Sequence, residues 1–240
     1  MDRLLIVPIK ETFRVEPQTP GPQRRDSQTT IRTALVPASR LHGWVERFSA
    51  SHGQVEEDFD DDGLLLRAAD GAEALLRGPW PVDGRPGRGA TDLDRLAALA
   101  SQERGLGIVL IRRGGFAVAA ASGSRILASK SGNRYVQSRT SAGGQSQQRF
   151  ARRRSNQADA LVEAAALHIG AIFAAHRIEY IVPGGDKTLV DQVLNQGPAK
   201  PFATRTRLAL LDVQEPKTAV LAKAATDACS IRITVTDPPR

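Results

Sequence analysis

Ser141-Ala142-Gly143-Gly144-Gln145-Ser146-Gln147-Gln148-Arg149-Phe150-Ala151-Arg152-Arg153-Arg154 is the stretch on which the rest of the chain turns. Two adjacent glycines let the backbone reach positive φ and approach a ligand closely. An apolar helical repeat follows, from about Gln147 to His176, with Leu161, Val162, Ala165, Ile169, Ile172 and Phe173 in phase. A helix starting there aims its unpaired N–H groups and the positive end of its dipole back into the glycine loop. Arg149, Arg152, Arg153 and Arg154 fall on its first turns with no acid among them. Arg149 neighbours both Arg152 and Arg153 on the helix surface, and such cations repel unless an anion lies between them. The bland alternative is a solvated basic helix start beside a glycine turn.

Working outward, the flanks give an α/β pattern. Before the loop, Leu106–Ile111 and Phe116–Ala121 are apolar runs split by Arg112-Arg113-Gly114-Gly115, a hairpin signal, and Arg125–Ser129 and Arg134–Thr140 are further strand candidates. After the long helix come a buried-type strand at Ile178–Val182, a helix at Asp186–Asn195, a strand at Leu208–Val213, a helix at Pro216–Ala225 and a strand at Ser230–Val235. Strands first and then alternating helix and strand imply a mixed sheet with helices on its faces.

The first 102 residues read differently. Residues 1–34 are rich in Pro, Gln, Ser and Thr and read as a flexible leader. Residues 35–102 read as a small α+β module. Leu41, Trp44, Val45 and Phe48 lie on one side of a short helix, and Asp70-Gly71 marks a hairpin between Leu64–Ala69 and Ala72–Arg77. Thr91-Asp92-Leu93-Asp94 opens another helix with a capping box. The acidic run from Glu56 to Asp62 reads as a solvated loop. The third segment, 104–237, carries the glycine loop.

Composition narrows the partners. The formal net charge is +7, with 27 Arg against 6 Lys, which suits a polyanion such as RNA. A GC-rich genome also raises Arg and Ala, but it does not explain where the arginines cluster. The single cysteine, Cys229, makes neither an internal disulfide nor a thiolate zinc site. The four histidines show no ligand spacing, so no metal or other cofactor is expected. No stretch has the length of a membrane span or the layout of a signal peptide, so the expected home is the cytoplasm, with no membrane partner.

Gly-Gly-Gln-Ser followed by Arg-Phe-Ala-Arg at these offsets resembles the catalytic loop of the eukaryotic and archaeal class-1 translation termination factors. The hairpin strands, long helix and closing strand–helix order over about residues 104–237 resemble that family's middle domain. The resemblance implies an RNase H-like mixed sheet. No codon-reading region is recognisable in residues 1–102, and no partner-GTPase domain follows, so no GTPase partner is expected. A stand-alone domain of this kind is similar to the Vms-like release factors of ribosome-associated quality control, in their short actinobacterial form. Gly-Ser-Gln often stands in that family where this chain has Gly-Gly-Gln. Gln147 offers a second glutamine, but the position after the paired glycines favours Gln145.

The implied activity is hydrolysis of peptidyl-tRNA on the large ribosomal subunit, with Gly143, Gly144 and Gln145 catalytic. Ser146, Gln147, Arg149, Arg152, Arg153, Arg154 and Arg139 would hold tRNA or ribosomal RNA. By the same resemblance, the Gln145 N–H stabilises the developing negative oxygen and its side chain positions water. Several alternatives remain open. One is an endonuclease cutting the tRNA near its 3′ CCA end. Another is a non-catalytic ribosome-binding module. A two-metal nuclease would need clustered carboxylates, and residues 104–185 offer only Asp159, Glu163 and Glu179. A nucleotide site at Gly184-Gly185-Asp186-Lys187-Thr188 lacks the full phosphate-loop spacing and reads better as a strand-to-helix turn.

Overall fold

The apolar runs at 106–111 and 116–121 are too continuous for a strand with one wet face, and they form the middle of a sheet covered on both sides. The computed structural model describes residues 30–60, 62–133 and 145–238, with residues 145–157 described by their backbone. Strands β5 (Gly105–Arg112), β6 (Gly115–Ser122) and β7 (Arg125–Asn133) form an antiparallel meander. The long helix α3 (Gln145–Ala174) then returns the chain to β8 (Tyr180–Gly185), which pairs parallel to β5. Helix α4 (Lys187–Leu194) and a short 3-10 helix (Gly197–Phe202) lead to β9 (Thr206–Arg207), parallel to β8. The order β7-β6-β5-β8-β9 is the mixed sheet with flanking helices that the resemblance implies.

Alternate residues of β5 divide its two faces. Val109 and Ile111 pack with Phe116 and Val118 under Leu161, Val162, Ala165, Ile169 and Phe173 of α3. Leu106, Ile108 and Leu110 face the opposite way, against Leu221, Ala224, Ala225 and Ala228 of α5 (Thr218–Ala228). Ala117, Ala119 and Ala121 of β6 meet this alanine face of α5, so helix and sheet can approach closely. On α3 the close approach falls at Gly170, where a Cβ would meet Pro198 at 2.4 Å. That gap lets the 3-10 helix lie against α3, with Phe202 edge-on to Phe173 at 5.3 Å.

The first sheet in chain order, ahead of this second one, has the order β1-β10-β4-β3-β2, from β1 (Ile31–Val36), β2 (Val55–Asp60), β3 (Gly63–Ala68), β4 (Glu73–Arg77) and β10 (Ile231–Thr236). Helices α1 (Leu41–His52) and α2 (Asp92–Ala100) cover one face, over a core that includes Leu41, Phe48, Leu64, Leu66, Leu76, Leu93 and Leu96. The capping box is present: Thr91 Oγ1 accepts from Asp94 N at 3.0 Å, and Asp94 accepts in return from Thr91 N at 3.2 Å. The Asp70-Gly71 hairpin joins β3 to β4, with Gly71 at φ +87°.

Several expectations change. Residues 31–34, expected in the leader, lie in β1; residues 1–29 lie outside the described residues. The acidic run is not a loop over Val55–Asp60 but an edge strand paired with β3. Its acids are tolerated because only one edge of β2 is paired and its side chains reach solvent, where charge also discourages edge-to-edge association. The strand expected at Leu208–Val213 is irregular, although Leu208 and Leu211 still donate to the Ile181 and Pro183 carbonyls. Pro216 precedes α5 and is not within it, because Lys217 is the N-cap.

The largest change concerns the last strand. It does not close the second sheet. It inserts between β1 and β4 of the first, antiparallel to both, and buries Ile231, Ile233 and Val235 there.

A polar network joins the two parts. Arg104 is only 1% exposed and ion-pairs with Asp83 at 2.7 Å. Its second terminal nitrogen donates to Gln102, and its guanidinium lies 5.8 Å from the Trp80 ring centroid. Tyr180 Oη donates to Asp83 at 2.6 Å, and Trp80 stacks on Tyr180 at 5.6 Å. Glu179 accepts from Gly105 N at 3.0 Å and pairs with Arg85 at 2.7 Å. The Tyr180 hydroxyl and Arg85 hold the Asp83 carboxyl below its ordinary pKa.

Two tests follow from this packing. Ile233→Ala should cost about 3 kcal/mol in denaturant melts, whereas Thr234→Ala, on the wetter face, should stay within about 0.5 kcal/mol. Asp83→Asn should cost roughly 3 kcal/mol because it leaves Arg104 buried without its counter-charge, and Arg104→Met should cost less. Asp83 ionised in the fold contributes stability above its unfolded pKa of about 3.9, and the contribution is lost as pH falls through the depressed value. Thermal melts from pH 6 to pH 2 should therefore show a shallower acid loss for Asp83→Asn.

Candidate functional site

The chain enters the glycine loop from Asn133 at the end of β7 and leaves it at Gln145, the first residue of α3. The helix thus begins two residues earlier than its apolar repeat indicates, and Gln145 itself opens the first turn. Its N–H, like the next three, has no intrahelical carbonyl to bond and lies at the positive end of the dipole. Ser146, Gln147, Arg149, Arg152, Arg153 and Arg154 occupy the next two and a half turns of backbone. Gly143, Gly144, Arg139 and the strand candidate Arg134–Thr140 lie outside the described residues.

Length sets where this helix start can be. β5 has 8 residues, a span of about 26 Å. α3 has 30 residues, about 45 Å. Among the described residues, its first core residue is Leu161 and its last is Phe173. About 24 Å of axis separate Gln145 from Leu161. The helix runs antiparallel to β5, since it must begin β8 beside Leu106, so Gln145 belongs to the carboxyl-edge side of the sheet.

An open cleft of about 720 Å³ lies at that same edge, beside Asn133. Its wall includes Arg112 and Arg113 from the β5–β6 turn, Gly185 and Asp186 after β8, and Lys217. Arg112 is tied back by a 2.5 Å hydrogen bond to the Val213 carbonyl and a 3.4 Å contact with Asp212. Lys217 pairs with Glu215, whose carboxyl it holds below the usual range. Arg113 is exposed and makes no ion pair with any described residue. Sequence reading treats Arg112-Arg113 only as a hairpin break; the signal it offers is two cations at a strand turn.

The other candidates resolve on geometry. Asp186 accepts from Thr188 N at 2.9 Å and Leu189 N at 3.2 Å, so a carboxylate of the chain already fills the anion position at the start of α4. Gly185 is at φ +90°, and a Cβ there would meet the Ile111 carbonyl at 2.3 Å. Gly184–Thr188 is thus a tight strand-to-helix turn. Asp159 and Glu163 are exposed on α3, while Glu179 is engaged by Gly105 and Arg85 at the amino edge. These three carboxylates do not meet. His42 and His52 pair with Asp94 and Asp70 at 3.0 and 2.9 Å, and His168 packs on Phe116. Burial pushes the Cys229 thiol up to about 11, which removes it as a nucleophile at neutral pH. Among the described residues no helix is long and apolar enough to cross a membrane.

A long helix that begins at Gln145 and packs over a mixed sheet fits the fold of a release factor. Residues 104–234 match the family described as actinobacteria/chloroflexi VLRF1 release factor, and the chain belongs to that family. Comparison with curated proteins gives no match. The family gives the chain a role in translation termination or ribosome rescue, in contact with the ribosome. The match begins at Arg104, the residue buried in the network that joins the two parts.

The turn assignment at Gly184–Thr188 has a direct check. Asp186→Ala should lose about 1 kcal/mol, or a few degrees of melting temperature, from the lost cap. Millimolar ATP should not raise the melting temperature of the parent protein; a clear rise would reinstate the nucleotide site.

Proposed function

We propose that this protein hydrolyses the ester linking nascent peptide to tRNA on stalled ribosomes or large subunits. The observation that carries the reading is Gly143-Gly144-Gln145 placed directly at the start of α3, in a chain of the release factor family. The reaction needs a water molecule, a place for negative charge and exclusion of other nucleophiles. The Gln145 N–H, at the positive end of the helix dipole, suits the developing oxyanion or the leaving ribose oxygen. A preorganised donor of that kind contributes about 10²–10³ in rate. The Gln145 side chain positions the water. Paired glycines ahead of it allow close approach to the tRNA 3′ end. Arg149, Arg152, Arg153 and Arg154, with Ser146, Gln147 and Arg139, hold tRNA and ribosomal RNA phosphates.

The backbone role and the side-chain role of Gln145 separate by substitution. Gln145→Ala keeps the N–H and should reduce release only in part. Gln145→Pro removes the N–H and restrains Gly144, so its loss should approach the full 10²–10³. Gln147→Ala should matter least. Single-turnover release of labelled peptide from peptidyl-tRNA on large subunits reads these differences, with pelleting to show that binding persists. Sequencing the tRNA 3′ end identifies the bond cut: an intact CCA end supports ester hydrolysis, and a shortened one shows an endonuclease. Full release by Gln145→Pro would rule out the assignment.

A further inference from the structure

The family match leaves residues 30–103 without a role, and one groove there has a chemistry of its own. It lies between α1 and β1, an edge strand of the first sheet, with a volume of about 360 Å³. Clefts for small ligands run from about 300 to 1,000 Å³, so this one has room for one or two nucleotides and none for a duplex.

Trp44, Phe48 and His52 stand one above the next at i, i+4 and i+8 on α1. Trp44 stacks on Phe48 with centroids 5.4 Å apart and planes at 11°, and His52 follows at 4.7 Å. Phe48 is buried and His52 is fixed by its 2.9 Å contact with Asp70, so the ladder is anchored from below. Its last ring, Trp44, is only half-buried and faces the groove. Had this face served the core alone, Trp44 would be buried as Leu41 and Phe48 are.

The rim carries charge of one sign. Arg32 and Arg47 both line the groove, with Ser51, and among the described residues no carboxylate lines it. Arg32 holds Asp237 at 2.8 Å from outside, in an exposed pair that contributes little and opens readily. Aromatic rings supply stacking for bases of any sequence, and arginines beside them supply the phosphate contacts.

We propose that this groove binds a single-stranded RNA segment, with one unpaired base stacked on Trp44 and its phosphates held by Arg47 and Arg32. An acidic peptide could use the arginines but would leave the planar ring without a matching partner. The inference goes beyond the hydrolysis reading and does not depend on it, since the groove shares no residue with the glycine loop or the start of α3.

The test uses the full chain and a ten-nucleotide single-stranded RNA. Affinity is measured by fluorescence anisotropy, and a 4-thiouridine version is cross-linked and mapped by mass spectrometry. Trp44→Leu should weaken binding about 5- to 100-fold. Arg47→Gln, at an exposed position that leaves the core intact, should reduce the salt slope by about 0.7. The cross-link should fall within residues 32–52, and a duplex of the same sequence should bind no better than to Trp44→Leu. Parent-like binding by both variants would overturn the proposal, as would cross-links confined to residues beyond 52. An acidic decapeptide that binds with the same variant dependence, where the RNA does not, would overturn it in favour of a protein partner. Neither variant touches Gln145, so failure here and failure of the hydrolysis reading are separate results.

Discussion

Strand β10 is the constraint on which the architecture rests. Five of its six residues pair with β4 and all six with β1, so among the described residues it is the only link between β1 and the other strands of the first sheet. Without it, β1 has no strand partner among the described residues and β4 presents an open edge. Ile231, Ile233 and Val235 also supply apolar contacts beneath α1 and α2. The chain has to travel through the entire second sheet before it can finish the first. Residues from opposite ends of the sequence therefore share one hydrophobic core, and the amino-terminal part is tied to the family domain by main-chain hydrogen bonds.

The Arg104 network supports the same union from the other side. A guanidinium 1% exposed is stable only with its hydrogen bonds met, and Asp83, Gln102 and the face of Trp80 meet most of them. Trp80 belongs to the connection between the parts, yet it packs in the cluster formed by Leu106, Ile108, Leu110 and α5. Its indole N–H donates to the Leu99 carbonyl, which fixes the end of α2 against the start of β5. Polar and apolar contacts thus converge at one point, next to the amino edge of the second sheet.

That edge and the opposite one do different things. The amino edge carries the hydrogen-bonded network of Glu179, Tyr180 and the arginines around Asp83. The carboxyl edge opens into the cleft beside Asn133, and α3 begins on that side of the sheet. α3 spans between them, with Leu161, Val162, Ala165, Ile169 and Phe173 packed against the sheet.

Much of the second sheet was legible because its causes are local. Continuous apolar runs gave β5 and β6, the 3.6-residue repeat gave α3, and the glycine pair with its arginines marked the loop and the family. Hairpin and cap chemistry likewise exposed Asp70-Gly71 and Thr91–Asp94. What local pattern could not hold was partnership. Ile231-Arg232-Ile233-Thr234-Val235 alternates as any half-buried strand does, and nothing in that alternation says which sheet it joins, because the choice depends on the shape of the gap between β1 and β4. The acidic residues of β2 look like loop in isolation and become strand only because β3 offers them a hydrogen-bonded edge. Arg104 reads as one arginine among 27 until Asp83, Tyr180 and Trp80 surround it. Trp44 reads as core until α1 is seen to leave its ring at the rim of a groove. The sequence by itself determined most of the elements, their faces and the family; only the tertiary structure decided which distant segments meet, because burial and pairing across long separations are set by packing and not by any neighbouring residue.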